Sequence, residues 1–527
     1  MNAAPAVSKR GCGAWLAGCG ALMAGGVLVV ILLAALFYTE ENWRGARAWK
    51  QTQADLEAQG ETLDPAKFIP APVPEAENFG TLPFFKEVSI TYPGASVPSQ
   101  TLAILQTLKP VTDQLPLSKD DGSKSGSLPY LGNWQKGETT DATGVTKQLE
   151  TFLQQQKPGT PIPANATPAD IFVLICPVLA DLRAANATHP ACRFEWDYSN
   201  PQPWKISLGA TTNQIKLAQL LSYDERLALL SHEPDRALDD LQVAWKINSG
   251  LRQEPTLVSG LIATGVVAIQ LGVVNQGLAE HAWSDQQLQT LDDDLAKMDY
   301  LSQSQFSLRS EAIAFFVPAM NHYSSHRSAW MKEKLAEDTM FGDEIPWKDR
   351  VLQVTYRLVP GGWFEKFKAD GLRMLLSGVK WVDPTSRRVY PEREKNLTVP
   401  TGGLADIMGQ EIGGELRPVL NVVRKYAYMQ AQLDEARIAC RLERYRLAHG
   451  TYPATLEALA PAYGTELPRD IMNGQAYIYK LKPDQTYILY SVGWNQKDDQ
   501  GDAGKLRISD SPDWIWTNYP DLSKHKD

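Results

Sequence analysis

The stretch that most constrains how this chain can fold lies near its start, where no charged residue occurs between Arg10 and Glu40. About 20 apolar residues cross the hydrocarbon core of a bilayer as a helix, and this stretch is longer than that. Tyr38 and Trp43 stand where aromatic residues meet the membrane interface. The sequence therefore predicts a transmembrane anchor over residues 11–39.

Two kinds of processing signal are alternatives to an uncleaved anchor. A cleaved signal peptide has an apolar region of only about 7–15 residues before its cleavage site, and this stretch is longer and ends in aromatic residues. A lipid-modified cysteine would use the segment Leu16–Cys19, but the stronger apolar run follows Cys19 rather than preceding it. A single uncleaved span is therefore the favoured prediction.

The side of the membrane that holds the rest of the chain is less constrained. Lys9 and Arg10 favour a cytoplasmic tail over residues 1–10, but basic residues also follow the span. Cys176 and Cys192 have a spacing that a disulfide could close, and two buried free thiols would give the same pattern. Because disulfides persist outside the cytoplasm, this spacing favours an extracytoplasmic location.

Composition excludes several classes of protein. The chain has 527 residues, of which 43% are hydrophobic, so it can bury a large core and is not a disordered chain. Its 5 cysteines are too few for a disulfide scaffold. Its net charge is −9, whereas a nucleic-acid-binding protein presents a basic face to the phosphates. Nucleic acid is therefore not an expected partner.

Residues 40–166 are predicted to begin as a juxtamembrane helix and to continue as an irregular segment rich in Pro and Gly. A segment of this composition does not favour a separate fold. We expect it to lie over another part of the chain, with aromatic residues as its packing anchors: Phe84, Phe85, Tyr130 and Trp134.

Residues 167–400 are predicted to form a helical body. Thr167 to Asp170 has the pattern of a helix cap and first turn. Apolar residues then recur at helical spacing from residue 211 to about residue 334, with short polar breaks between the runs. Antiparallel helices joined by short loops are typical of a helical bundle.

Two segments of the body could also meet a membrane. Residues 257–278 are long and apolar enough for a second span, but Gln270 and Asn275 interrupt them and favour a buried bundle helix. Residues 363–381 mix aromatic, aliphatic and basic side chains, which suits a helix on a membrane surface or a helix packed on the bundle. We favour the packed helix.

The last part of the chain, residues 401–527, is predicted to form a long helix followed by a small head. The long helix ends at Gly450, since glycine is the residue expected after a helix end. Alternating side chains around Tyr479 and Tyr487 predict two antiparallel strands. The predicted fold is thus mainly α: an N-terminal transmembrane helix, a helical bundle body and a small C-terminal α+β head.

This order of elements resembles the major pseudopilin of type II secretion systems over about residues 425–516. The residues that carry the resemblance are Arg441, Leu442, Tyr445, Gly450, Tyr452, Pro453, Leu456, Pro468, Asp470, Gly474, Tyr477, Tyr479, Tyr490, Ser491, Gly493, Asp498 and Asp499. A pseudopilin begins with a Gly-Phe cleavage site and an apolar helix half. Here the apolar segment lies far upstream of the head, and no such site precedes it.

The whole chain also looks similar to large membrane-anchored proteins of planctomycete and verrucomicrobial bacteria. Together with the predicted anchor, this resemblance implies a single-pass protein of the bacterial inner membrane. The bulk of the chain is then expected in the periplasm. Neither resemblance implies an enzymatic activity.

In the pseudopilin family the loop after the last strand binds calcium, and the resemblance implies the same for this chain. Calcium takes about six to eight oxygen ligands, many of them from carboxylates. The loop contains five carboxylates that would be the ligands: Asp498, Asp499, Asp502, Asp510 and Asp513. The alternative interpretation is a solvated acidic loop that binds no metal.

The sequence contains no P-loop, no nucleophile elbow and no Cys pair of the C-x-x-C kind. His322 and His326 lie four residues apart, but the Glu that a zinc hydrolase uses between them is missing, which favours a polar helix end. We therefore expect a non-enzymatic envelope protein that presents its head for protein–protein contact, in or beside a secretion or pilus-like assembly. Self-association is an additional option.

Two other functions stay open at this point. One is an anchored hydrolase that acts on cell-envelope polymers, to which the abundant Trp and Tyr residues could bind by stacking on sugars. The other is a calcium-stabilised scaffold or adhesion module. Acidic and aromatic residues that converge in one cleft would favour the enzyme, and an open apolar patch would favour a contact surface.

Overall fold

The computed structural model describes residues 11–85, 127–133, 138, 140–196, 198, 203, 209–326, 358–396, 405–464, 466–502, 504 and 512–517. Most of these residues are helical and few are in strands, so the prediction of a mainly α fold is confirmed. They form two compact units. The first comprises the described residues within Met1–Leu63, Phe316–Arg373 and Pro400–Gly413, and the second those within Asp64–Phe315, Met374–Val399 and Gly414–Asp527.

The N-terminal helix, α1, runs from Gly11 to Ala58 and is about 70 Å long at 1.5 Å per residue. Its side chains are exposed from Leu22 to Phe37, and none of its most apolar stretch is buried. The helix is long and apolar enough to cross a membrane. The predicted anchor and the predicted juxtamembrane helix are therefore one continuous element.

The helices after α1 follow one another along the chain. They are α2 (Ala142–Gln156), α3 (Pro168–Ile175), α4 (Val178–Thr188), α5 (Gly209–Leu230), α6 (Pro234–Gln253), α7 (Leu257–Ala279), α8 (Asp285–Ala296), α9 (Tyr300–Ser310), α10 (Val317–Ser325), α11 (Gly361–Val379) and α12 (Ala405–His449). A π-helical segment, Glu311–Phe316, joins α9 to α10. The runs with helical spacing that the sequence predicted are thus α5 to α8.

In the first unit, the start of α11 packs closely against α1. A Cβ atom added to Gly45 would overlap the carbonyl oxygen of Gly362, and one added to Gly362 would overlap the carbonyl oxygen of Glu41. The two backbones can approach this closely because both contact residues are glycine. Lys368 of α11 also lies over the ring of Trp49, 4.1 Å from its centroid. The first part of the amphipathic α11 therefore packs against α1, whereas the sequence predicted packing on the bundle.

In the second unit, α5, α6 and α7 pack on one another, and α3 and α4 pack against them. Helix α3 begins with the predicted cap. Thr167 Oγ1 accepts a hydrogen bond from Asp170 N at 3.1 Å, and Asp170 Oδ2 accepts one from Thr167 N at 3.0 Å. Each side chain thus satisfies a backbone amide that the first helical turn leaves without a partner.

Helix α7 is a second helix that is long and apolar enough to cross a membrane, and α3 with α4, bent by 92° at their junction, also passes that test. However, 56% of the most apolar stretch of α7 is buried against its neighbours. Gln270 Nε2 donates to the carbonyl oxygen of Ala218 at 3.1 Å, and Tyr300 Oη donates to that of Ala263 at 3.0 Å. These contacts agree with the predicted buried bundle helix.

The Pro- and Gly-rich segment lies partly over this body. Asn78 and Arg193 are joined twice: Asn78 Nδ2 donates to Arg193 O at 2.9 Å, and Arg193 N donates to Asn78 Oδ1 at 2.7 Å. Of the expected packing anchors, Phe84 and Phe85 are buried. Tyr130 is half-buried, whereas Trp134 lies outside the described residues.

The head consists of the end of α12 and a three-stranded antiparallel sheet of order β3-β4-β5. The strands of the chain are β1 (Val382–Asp383), β2 (Arg388–Val389), β3 (Ile478–Leu481), β4 (Tyr487–Ser491) and β5 (Trp514–Thr517). The predicted pair is confirmed as β3 and β4, with Tyr479 opposite Leu489. Strand β5 and the β1–β2 hairpin were not predicted from the sequence.

The structure does not support the disulfide that favoured an extracytoplasmic location. Cys176 and Cys192 are separate buried thiols, so the free-thiol alternative holds rather than the disulfide. Burial raises the pKa of Cys176 to about 12, which leaves its thiol protonated at neutral pH. The spacing of the two residues therefore no longer favours an extracytoplasmic location.

The packing of Phe85 gives a test of the segment's attachment to the body. Phe85 is fully buried, and its ring centroid lies 5.4 Å from that of Phe194. We expect Phe85→Ala to lower the free energy of unfolding of the detergent-solubilised chain by about 3–5 kcal/mol, because it leaves a cavity. Leu447→Ala removes an exposed side chain and is expected to change it by less than about 0.5 kcal/mol. Equal losses in chemical denaturation would contradict the attachment.

Candidate functional site

The acidic loop that the resemblance singles out follows β4. Asp513 is buried and accepts two backbone hydrogen bonds, from Asp499 N at 3.3 Å and from Gly501 N at 2.8 Å. Burial raises the pKa of Asp513, and these two hydrogen bonds partly offset the rise. Asp513 therefore closes the loop on itself by binding its backbone.

The other described carboxylates of the loop also accept hydrogen bonds from within it. Asp498 Oδ1 accepts one from Gln500 N at 2.8 Å, and this bond lowers the pKa of Asp498. Asp499 accepts one from Asn495 Nδ2 at 2.7 Å. Asp502 accepts one at 2.7 Å from the backbone amide two residues later. Each carboxylate is thus engaged locally.

Asp510, the fifth predicted ligand, lies outside the described residues. Within the described ranges, no three His, Cys, Asp or Glu side chains are grouped so that they could hold a metal ion. The four described carboxylates of the loop accordingly do not surround a common point. Calcium binding by this loop stays a prediction.

Two carboxyl groups accept hydrogen bonds from the end of β4, and one of them, Glu435, belongs to α12. Asp470 accepts hydrogen bonds from Ser491 Oγ at 2.9 Å and from Val492 N at 3.0 Å, and Glu435 accepts one from Ser491 N at 2.9 Å. Burial raises the pKa of both carboxyl groups, and the nearby Asp470 raises that of Glu435 further. Asp470 and Ser491, which belong to the pseudopilin resemblance, thus have a structural role in the head.

The β1–β2 hairpin also contacts α12. Arg387 lies in its turn with a φ of 51°, and its Nη2 is 2.9 Å from both carboxylate oxygens of Asp434. Tyr477 Oη donates to Asp434 Oδ2 at 3.3 Å. Burial raises the pKa of Asp434, and the guanidinium of Arg387 opposes that rise. Asp434 therefore joins the hairpin and the strand region through one buried carboxylate.

Arginines on one face of α12 bind α8. Arg437 Nε donates to Asp292 Oδ1 at 2.8 Å, and Arg441 Nε donates to Asp292 Oδ2 at 2.6 Å. Arg444 Nε donates to Asp285 at 2.8 Å. The spacing of these arginines, three and four residues apart, places them on one helix face. The helical spacing of these arginines is visible in the sequence, but the sequence does not indicate which acidic residues they bind.

A second contact joins α12 to the turn between α7 and α8. His281 Nδ1 lies 2.8 Å from Glu443 Oε1, and Tyr452 Oη donates to Glu443 Oε2 at 2.6 Å. Burial by itself would raise the pKa of Glu443, but hydrogen bonds from His281, Arg446 and Tyr452 lower it to about 2. Glu443 therefore stays ionised at neutral pH and holds three neighbours together.

An aromatic patch lies at the end of α12, and we define it as Tyr445, His449 and Tyr463. The rings of Tyr445 and His449 are stacked with centroids 4.0 Å apart, and Tyr463 lies 5.9 Å from Tyr445. His449 is exposed, and both tyrosines are half-buried. Arg444 lies 5.5 Å from the centroid of Tyr463. Tyrosine and arginine are the residue types that concentrate binding energy in protein interfaces.

The body contains buried carboxylates that the sequence analysis did not identify. Arg183 Nη1 donates to Asp224 at 2.8 Å and to Asp240 at 2.7 Å. Glu225 is fully buried beside them, and neither of its carboxylate oxygens has a hydrogen-bond partner among the described residues. Burial raises the pKa of Glu225 well above its usual value, and Asp240 and Asp224 raise it further. Burial without a hydrogen-bond partner in the described ranges therefore favours the neutral form of Glu225.

Glu254 lies in the connection between α6 and α7 and is almost completely buried. Burial raises its pKa to about 7, although hydrogen bonds from Ser259 and Trp196 oppose the rise. Its Oε2 atom has no hydrogen-bond partner within the described part of the chain. Glu254 is thus a buried acid whose charge changes near neutral pH.

No protein-family model, curated protein or solved structure matches this chain. The arrangement of its own residues therefore carries the functional argument. The described site is a set of carboxylates that fix the head to the body, next to an exposed aromatic patch.

The Asp292 contact gives a test of how firmly the head is attached. Asp292→Asn leaves two largely buried guanidinium groups without their anion, so we expect a loss of about 3–5 kcal/mol in the free energy of unfolding. Asp285→Asn removes the more exposed ion pair with Arg444, where we expect a loss of less than about 1 kcal/mol. Urea denaturation of both full-length variants measures the difference, and losses of similar size would argue against a buried attachment.

The raised pKa of Glu254 predicts a pH dependence of stability. Between its usual pKa of 4.5 and its folded pKa of about 7, the folded chain holds a proton that the unfolded chain releases. Stability from this group therefore falls as pH rises through that window and is constant above it. We expect Glu254→Gln to match the parent at pH 4.5 and to exceed it by on the order of 3 kcal/mol at pH 8.

Exposed Glu280→Gln controls for the loss of one negative charge in this comparison. The midpoint of urea denaturation, measured from pH 4.5 to pH 8 for both variants and the parent, gives the profile. A difference between Glu254→Gln and the parent that does not change with pH would contradict the assignment.

Proposed function

We propose that this chain is a single-pass protein of the bacterial inner membrane whose head contacts another protein on the periplasmic side, without catalysing a reaction. The observation that carries the proposal is the aromatic patch at the end of α12. Stacked rings beside an arginine, partly accessible to solvent, form the kind of surface on which binding energy concentrates.

The attachment of the head supports this proposal. Asp292 binds two arginines of α12, so the patch is held by a helix that is itself fixed to the body. A surface presented in one orientation loses less conformational freedom when it binds than one on a flexible arm. The pseudopilin resemblance makes a secretion or pilus-like assembly the proposed setting, and a second copy of the chain is one such partner.

The membrane location rests on α1, whose apolar side chains are exposed from Leu22 to Phe37. Burying them in lipid removes their contact with water. Lys9 and Arg10 before the span favour a cytoplasmic N-terminus, which leaves the body and the head in the periplasm.

One experiment tests both the side of the membrane and the contact. His449→Cys and Leu447→Cys place a thiol on opposite faces of the same helix end, because two residues are about 200° apart around a helix. The first substitution replaces one ring of the aromatic patch by the probe and leaves Tyr445 and Tyr463 beside it. Both residues are exposed. Cys12 and Cys19 are replaced by Ser, and the three other cysteines are buried. Each variant is treated in spheroplasts with a membrane-impermeant maleimide that carries a photo-cross-linker.

We expect both cysteines to react in intact spheroplasts and only the one at position 449 to give a discrete cross-linked product. Tyr463→Ala in the same background is expected to reduce that product, since it removes part of the aromatic patch. Labelling only after lysis would overturn the periplasmic location. Labelling without a product specific to position 449 would overturn the contact surface.

A further inference from the structure

The uncharged part of α1 is longer than the membrane core it is proposed to cross. From Gly11 to Phe37 the helix extends about 40 Å, whereas the hydrocarbon core is about 30 Å thick. A helix with this excess can slide or tilt at a modest free-energy cost. The apolar stretch alone therefore does not determine which of its residues lie in the core.

The start of α11 contacts α1 at one end of this stretch. Tyr38 Oη donates a hydrogen bond to the carbonyl oxygen of Leu358. Trp363 Nε1 donates to Glu41 Oε2 at 2.9 Å, and its ring lies edge-on to Phe37 with centroids 6.3 Å apart. This part of the chain is thus held beside the last apolar turn of α1.

Apolar side chains are exposed at the same level. Leu358 is 64% exposed, Trp43 is 56% exposed and Phe37 is 42% exposed, while Trp363 is half-buried. We call these four residues the apolar collar. Phe37 and Trp43 are separated by about 9 Å along α1, so with Phe37 at the edge of the hydrocarbon core Trp43 lies at the outer side of the interfacial layer. Arg47 lies over the ring of Trp43, 5.3 Å from its centroid.

We propose that the apolar collar is a second membrane contact, which inserts into the interfacial layer of the leaflet where α1 leaves the hydrocarbon core. This proposal rests on the proposed membrane anchoring by α1. The collar is continuous with the lipid-facing surface of the helix, and it combines tryptophan, phenylalanine, leucine and a nearby arginine. Such residues occupy the interface, where one end of the side chain is apolar and the other is solvated.

The collar would then set the position of the whole anchor. With Phe37 at the edge of the core, about 20 residues before it span the membrane, and the first turns of α1 emerge on the opposite side. Gly45 and Gly362 allow the start of α11 to lie directly against α1. A Cβ atom at either position would push the two backbones apart. The collar thus couples the position of α11 to the depth of the anchor.

The test measures the depth of single positions in the full-length chain. Cysteine is introduced at position 28, 43, 358 or 447 in the Cys12→Ser, Cys19→Ser background and labelled with the environment-sensitive dye NBD. The protein is reconstituted in vesicles of phosphatidylcholine and phosphatidylglycerol. Lipids that carry a nitroxide quencher near the headgroup or deep in the acyl chain then report the depth of each dye.

We expect the dye at position 358 to be quenched several-fold more by the shallow lipid than the dye at position 447, and to a degree similar to position 43. Gly362→Ala should reduce the quenching at position 358, because it separates α11 from α1. Gly25→Ala is the matched control, since a Cβ atom there meets no other atom within 4 Å.

The outcomes separate the two proposals. If position 28 is quenched by the deep lipid but position 358 behaves like position 447, α1 is an anchor and the collar proposal is overturned. A blue-shifted dye at position 358 that no lipid quenches would mean that protein covers the collar, which also overturns it. If position 28 is not quenched either, the proposed anchoring itself fails.

Discussion

The Asp292 carboxylate lies between the guanidinium groups of Arg437 and Arg441, and the position of the head depends on this contact. Helix α12 supplies both arginines and also the residues that bind the sheet. Glu435, two residues before Arg437 in the chain, accepts a hydrogen bond from the backbone amide of Ser491 at the end of β4. One helix is therefore bound to the body on one face and to the sheet on another. Because the charges are largely buried, a partner lost from this set leaves an uncompensated ion.

Patterns among residues close together in the sequence predicted many of the helices and two of the strands. The repeating apolar residues of α5 to α8 specify helices because one face of each must be buried. The cap at Thr167 was predictable, since a threonine followed three residues later by an acid can satisfy two amides at once. Strands β3 and β4 likewise follow from alternation of side chains. In each case the residues that form the pattern lie within a few positions of one another in the chain.

The elements and contacts that the sequence did not predict depend on residues that are far apart in the chain. Strand β5 is four residues long, and what defines it is pairing with β4, where Trp516 lies opposite Leu489. Asp292 and Arg441 are 149 residues apart, and no local pattern relates them. The apolar collar joins Phe37 of α1 to Trp363 of α11, far along the chain. The acidic loop was prominent in the sequence, but nothing there indicated that its buried member, Asp513, accepts hydrogen bonds from two backbone amides of the loop.

The buried acids have two different roles, which depend on what surrounds each one. Asp292 binds two arginines and Glu443 receives hydrogen bonds from three side chains, so both carboxylates join elements of the fold. Glu225 has no such partner within the described residues, and its burial favours the neutral acid. Paired carboxylates thus lie where α12 meets the body, whereas Glu225 lies inside the bundle without a hydrogen-bond partner among the described residues. Replacing Glu225 by an apolar residue would therefore disturb the fold less than replacing Asp292, although both are buried.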